Sequence, residues 1–158
     1  MVCLRRRNAV LLIPILAVAL SSTSQAADNQ KITGSFSFTD SSTCATPIQV
    51  AGSYDEQMHT YYDSAGVATR LAFTGKVNIT YTNVSTGATY SPNSAGPSTV
   101  DLQSGQTVIR GGNGAVFNNE GVLVSTDGRV VLDADGNVIS LRGRSTDVCA
   151  QLGSTPAS

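Results

Sequence analysis

The chain has 158 residues, 41% hydrophobic and 13% charged, with 15 glycines and a formal net charge of -1. These counts exclude a collagen-like or heavily charged disordered chain and fit one soluble domain. They also exclude a general nucleic-acid binder, because there is no surplus of Lys and Arg to displace phosphate counterions.

Residues 1–26 have the layout of a cleaved secretory signal. Arg5, Arg6 and Arg7 form the positive start, residues 10–20 the apolar stretch, and Ser24 and Ala26 the small residues of a cleavage site. The stretch is short for a membrane span and contains Pro14. Adjacent arginines invite a twin-arginine reading, but Asn8 and Ala9 do not supply the bulky residues expected after them. Cys3 precedes the apolar stretch and no cysteine stands at the cleavage point, which argues against a lipid anchor. Cleavage removes three arginines, leaving 7 Lys+Arg against 11 Asp+Glu and a net charge of -4. The expectation is a secreted, extracellular domain over 27–153, free of the membrane once cleaved, with residues 154–158 as a disordered tail.

Two cysteines remain in that domain. Cys44 and Cys149 are expected to form one disulfide, as an even pair in an exported chain does. The bridge would tie the two ends of the domain together. A metal site is not expected, since there is no CxxC and His59 is the only histidine.

Residues 32–39 form a candidate first strand, and 48–62 a second, with Ile48, Val50, Tyr54, Met58 and Tyr62 on one side. After the turn signal Asp63-Ser64-Ala65-Gly66, residues 67–81 alternate most clearly. Val67, Leu71, Phe73, Val77, Ile79 and Tyr81 share one parity; Arg70, Thr74, Lys76 and Asn78 take the other. Pairing Tyr62 with Val67 sets Met58 opposite Leu71 and Val50 opposite Ile79. A three-residue loop would put Met58 opposite Ala72, on the polar face. Further strands are expected at 88–90, 99–102, 107–110, 115–117, 122–126, 129–132 and 138–142. Turn clusters separate them, among them Asp127-Gly128 and the loop Gly111-Gly112-Asn113-Gly114. Residues 62–67 and 132–137 carry the same turn chemistry. Residues 147–152 read as a short helix capped by Ser145 or Thr146, with Gly153 past its end. Short turns make neighbouring strands antiparallel. The expected fold is therefore all-β, a single antiparallel meander, a barrel in preference to a sandwich, with one C-terminal helix and one disulfide.

Few residues offer chemistry. Glu56 lies on the apolar parity between Tyr54 and Met58, opposite Phe73 in sequence reading, and burial would raise its pKa. His59 shares the polar face with Asp55, Gln57 and Tyr61, the pattern of a solvated strand with Arg70 opposite. Residues 133–137 resemble a calcium loop only superficially, because a calcium loop of the helix–loop–helix kind needs its glycine sixth. Asn78 and Asn83 fit the glycosylation pattern. No cofactor is implied.

Tyr61-Tyr62-Asp63 with the Gly66 turn, Phe73-Thr74-Gly75-Lys76-Val77, Tyr81-Thr82-Asn83 with Thr86-Gly87, Asp133-Ala134-Asp135-Gly136-Asn137 and Asp147-Val148-Cys149 resemble a loose group of small secreted actinobacterial proteins of unknown function. That resemblance implies an exported β domain and no activity. The expected function is non-catalytic binding of a small apolar or amphipathic ligand inside the barrel by Tyr54, Glu56, Met58, Phe73 and Tyr81. The alternative is a surface-interaction or inhibitor protein that meets an extracellular protein or cell-wall partner through strands and loops. An enzyme would need Glu56 or His59 in an enclosed site.

Overall fold

A computed structural model describes residues 29–118 and 121–157. The expected export signal lies outside them. The chain forms β1 (Asn29–Asp40), β2 (Ile48–Tyr62), β3 (Ala68–Asn83), β4 (Thr89–Tyr90), β5 (Ser98–Asp101), β6 (Thr107–Phe117), β7 (Leu123–Leu132), β8 (Val138–Asp147) and α1 (Val148–Gln151). All strands belong to one antiparallel sheet in the order β1-β2-β3-β5-β6-β7-β8, with β4 attached to β3. The meander is thus as expected. The sheet is not closed, which leaves barrel and sandwich both open as descriptions.

Local chemistry explains the hairpins. Asp63 and Asp133 close equivalent turns. In each, the Asp N–H donates to the carbonyl four residues on (2.9 Å in both), and its carboxylate accepts from that residue's N–H at 2.9 and 2.8 Å. Asn118 repeats the arrangement with Val122. Short polar side chains do this well because they reach their own backbone. The five-residue connection after Tyr62 would by itself place apolar against polar residues. The register then slips once more between Tyr61 and Tyr62, leaving Thr69 unpaired on β3, and the faces match again. Met58 consequently lies opposite Phe73, not Leu71, and Val50 opposite Tyr81, not Ile79. Glu56 faces Gly75 rather than Phe73, and Arg70 faces Tyr61 rather than His59. The polar-face mismatch with Ala72 does not occur.

Two expected breaks are continuous strand. Asp127-Gly128 lies within β7, and residues 111–114 within β6, so the glycine-rich stretch is not a loop. Its glycines answer to a neighbour. The segment 91–97 runs alongside, joined by Arg110 N–H to the Pro97 carbonyl at 3.0 Å and by a bridge between Asn78 and Asn93. A Cβ on Gly112 would sit 2.3 Å from the Asn93 carbonyl oxygen, and one on Gly114 2.3 Å from the Ile79 side chain. Gly111, Gly128 and Gly143 follow one another across β6, β7 and β8 as direct partners. At Gly143 φ is +115°, and a Cβ there would meet the Asp127 carbonyl oxygen at 2.3 Å. Glycine inside a strand marks such close backbone approach.

The main core cluster gathers at one end, while Val130 and Val131 are buried apart from it towards the other end of β7. Ile48 and Val50 open β2, Tyr81 closes β3 and Leu123 opens β7; Val148, Cys149 and Leu152 of the helical turn pack on them with Cys44. Phe36, Phe38, Ile79 and Phe117 flank this cluster. Burying each such aliphatic side chain is worth roughly 1.5–3 kcal/mol. Cys44 and Cys149 form the disulfide, with Cα atoms 5.6 Å apart. Asp147, rather than Ser145 or Thr146, caps the helix, its carboxylate accepting from Ala150 N–H at 3.0 Å. Ser154 to Ala157, expected as a loose tail, are pinned beside Thr43 to Thr46: Ala45 N–H donates to Thr155 O at 2.8 Å and Ala157 N–H to Thr43 O at 3.0 Å.

Candidate functional site

Strand pairing brings four of the five expected binding residues to one sheet face. Met58 and Phe73 are direct partners, Tyr54 faces Val77 on β3 and Gly34 on β1, and Glu56 lies between Ile32 and Gly75. All four are half-buried. Burial raises the Glu56 carboxyl above its ordinary value. Tyr81 shares their parity but stands far up the ladder. It is a core residue, buried against Val50 with Tyr90 opposite, and burial and the neighbouring Tyr90 push its phenol up. Two depressions of the described surface bear on where a ligand could sit. One, of about 100 Å³, lies among Tyr90, Asn93, Ser125, Asp127, Arg144 and Thr146. The other, of about 270 Å³, lies between Phe38, Asp40, Thr43 and Phe117. None of the five expected residues lines either depression.

His59 lies on the opposite face and pairs with Ala72. The carboxylate four residues back on the same face is engaged elsewhere, since Asp55 accepts from Lys31 Nζ at 3.1 Å. Arg70 lies over the Tyr61 ring, 4.0 Å from its centroid. Asp133 accepts from Asp135 N–H, Asn137 N–H and Asn137 Nδ2, so its oxygens serve the turn. The Asn137 side chain, then the backbone donors, hold its carboxyl below the usual range. Asn83 is only 1% exposed. Its Nδ2 donates to Leu152 O at 3.1 Å, while Oδ1 accepts from Ser85 and Thr86, so it locks α1 to the end of β3. The contact with Leu152 was not read from sequence, where Asn83 stood in a turn motif and a glycosylation pattern. Among the described residues no cluster of three metal-ligating side chains occurs.

A different surface emerges at the hairpin-tip end, remote from the disulfide. Of the six large hydrophobic side chains exposed among the described residues, five are there: Tyr61, Tyr62, Val67, Leu102 and Ile139. Val67 and Ile139 are 59% and 53% exposed. The three connections at this end pack side by side. Leu102 N–H donates to Thr69 O at 2.8 Å, and Gly105 lies against Ala134, where a Cβ would approach within 2.6 Å. Sequence alternation assigned Val67 to the buried face and gave no reason to group these five. Their common signal is position, each within two residues of a strand end. Comparisons with protein-family models, curated proteins and solved structures found no match.

Proposed function

We propose that this chain is an exported recognition module that meets an extracellular protein partner through its hairpin-tip end. The observation that carries the reading is that Tyr61, Tyr62, Val67, Leu102 and Ile139 are all exposed at strand ends or in the adjoining turns, which their own hydrogen bonds hold. Exposed apolar side chains rimmed by polar groups mark interaction surfaces, and tyrosine offers apolar area with a polar end. Asp63, Asp101 and Asp133 supply the rim, which favours a partner with apolar side chains bordered by Lys or Arg. Export is supported by the disulfide, a bond of oxidising compartments. No helix among the described residues is long and apolar enough to cross a membrane.

The test is partner capture from the medium of the producing cells with wild-type protein, a Tyr62→Ser/Leu102→Ser/Ile139→Ser variant and a Val84→Ser control at the opposite end. A partner retained by wild type and control but lost by the tip variant, at unchanged thermal midpoint, is the expected result. Equal retention by all three proteins refutes the reading. A second reading, a small apolar or amphipathic ligand on the Tyr54–Glu56–Met58–Phe73 face, is favoured by the half-buried carboxyl among apolar neighbours. It predicts extra mass in the native spectrum that disappears on denaturation and is absent from Met58→Asp.

A further inference from the structure

Six successive antiparallel pairings separate β1 from β8. The two edge strands therefore run in the same direction, and they could meet only through a parallel seam. Each presents a row of backbone donors and acceptors that can template another strand. The edges differ in protection. β8 carries exposed Arg142 and Arg144, a positive-φ glycine at Gly143 and a register shift near its start. Charges and irregularity of this kind blunt an edge. β1 has neither. Its pairing with β2 runs through twelve consecutive residues without a shift, it has no proline, and its one lysine, Lys31, is drawn back to Asp55 on β2. Ile32, Phe36 and Phe38 line one face, while Thr33, Ser35, Ser37 and Thr39 line the other.

We propose that β1 pairs antiparallel with β1 of a second copy of this chain, about a two-fold axis at Ser35. The alternation restricts the register, since only pairings that join even with even positions keep the apolar faces together. Centring on Ser35 sets Phe38 opposite Ile32, Phe36 opposite Gly34 and Thr33 opposite Ser37. Within each copy Tyr54 already lies over Gly34 and Phe36 over Gly52, so across the seam Phe36 of one copy would meet the Tyr54 ring of the other and not bare glycine. The same centring puts Lys31 of each copy beside the Asp40 end of the other and keeps the two lysines apart. Such a pairing uses the same strand from both copies, so it closes at two and does not propagate. It is independent of the hairpin-tip surface.

Sedimentation of the full chain over a dilution series is expected to show a monomer–dimer equilibrium. Single-cysteine variants then fix the axis. Ser35→Cys cross-links with itself, whereas Thr33→Cys and Ser37→Cys cross-link when mixed and not alone. Thr33→Lys with Ser37→Lys sets like charges opposite each other and weakens the dimer by roughly tenfold or more. A monomer throughout, unlimited growth into fibres, or equal cross-linking from Ser64→Cys in the tip turn each overturns the proposal. So does capture of a β1-like peptide by a chain that never self-associates.

Discussion

Replacing Gly143 by alanine tests whether β7 and β8 are as close as the structure has them. The added Cβ would lie 2.3 Å from the Asp127 carbonyl oxygen and 2.8 Å from the Gly128 Cα, where ordinary contact begins at 3.4 Å. Both obstacles are backbone, so relief requires the strands to part by about 1 Å. Parting weakens the ladder bonds on either side, each worth about 1 kcal/mol net. The residue must also keep φ near +115°, a strain of about 1–3 kcal/mol for a residue with a side chain. Together these amount to about 3–5 kcal/mol. Gly136→Ala is the control, because φ is +83° there but no atom lies within 4 Å of the new Cβ. It carries the conformational part alone, about 1–2 kcal/mol. Urea unfolding followed by far-UV circular dichroism should show the Gly143→Ala midpoint below that of Gly136→Ala by about 1 M or more. Coincident midpoints refute the backbone contact.

Removing the cross-link by Cys44→Ala with Cys149→Ala frees a 105-residue separation, worth about 4–5 kcal/mol in the chain-entropy model. The thermal midpoint is expected to fall by about 15 °C, and a fall below about 5 °C counts against that origin of stability. Glu56→Gln should act in a pH-dependent way. Burial raises the folded carboxyl above its unfolded value, so the contribution of its proton is complete in acid and is lost as pH rises through the folded value. The glutamine variant should match wild type in acid and become the more stable protein towards neutral pH, read as the difference in thermal midpoint. A difference that does not change with pH refutes the assignment.

Much of the architecture was legible because alternation reports which face a residue occupies. It located the long β2–β3 pair and the meander; the even pair of cysteines gave the disulfide, and the shared chemistry at Asp63 and Asp133 identified equivalent turns. Alternation says less about position along a ladder. The five-residue connection and one unpaired residue, Thr69, together moved every β2–β3 partner from Tyr61 onward by two places without changing the face. Tyr81 was grouped with Glu56 by parity although one lies in the core and the other well down the sheet. Glycine was the second source of error. Residues 111–114 and Gly128 have the composition of loops, but they serve backbones from distant sequence, and composition does not disclose that neighbour. The tip surface was missed for a related reason: exposure at a strand end depends on what the adjoining turns cover.

The disulfide also governs how the molecule bears tension. A pull on the two ends of the chain passes through Cys44 and Cys149 and bypasses the 105-residue span between them. On the order of 350 Å of contour length is thereby kept from extending. Under load only β1, the segment that follows it and the short stretch after Cys149 can yield, and β1 must peel away from β2 to do so. Reduction removes that limit, and the whole sheet then carries the force.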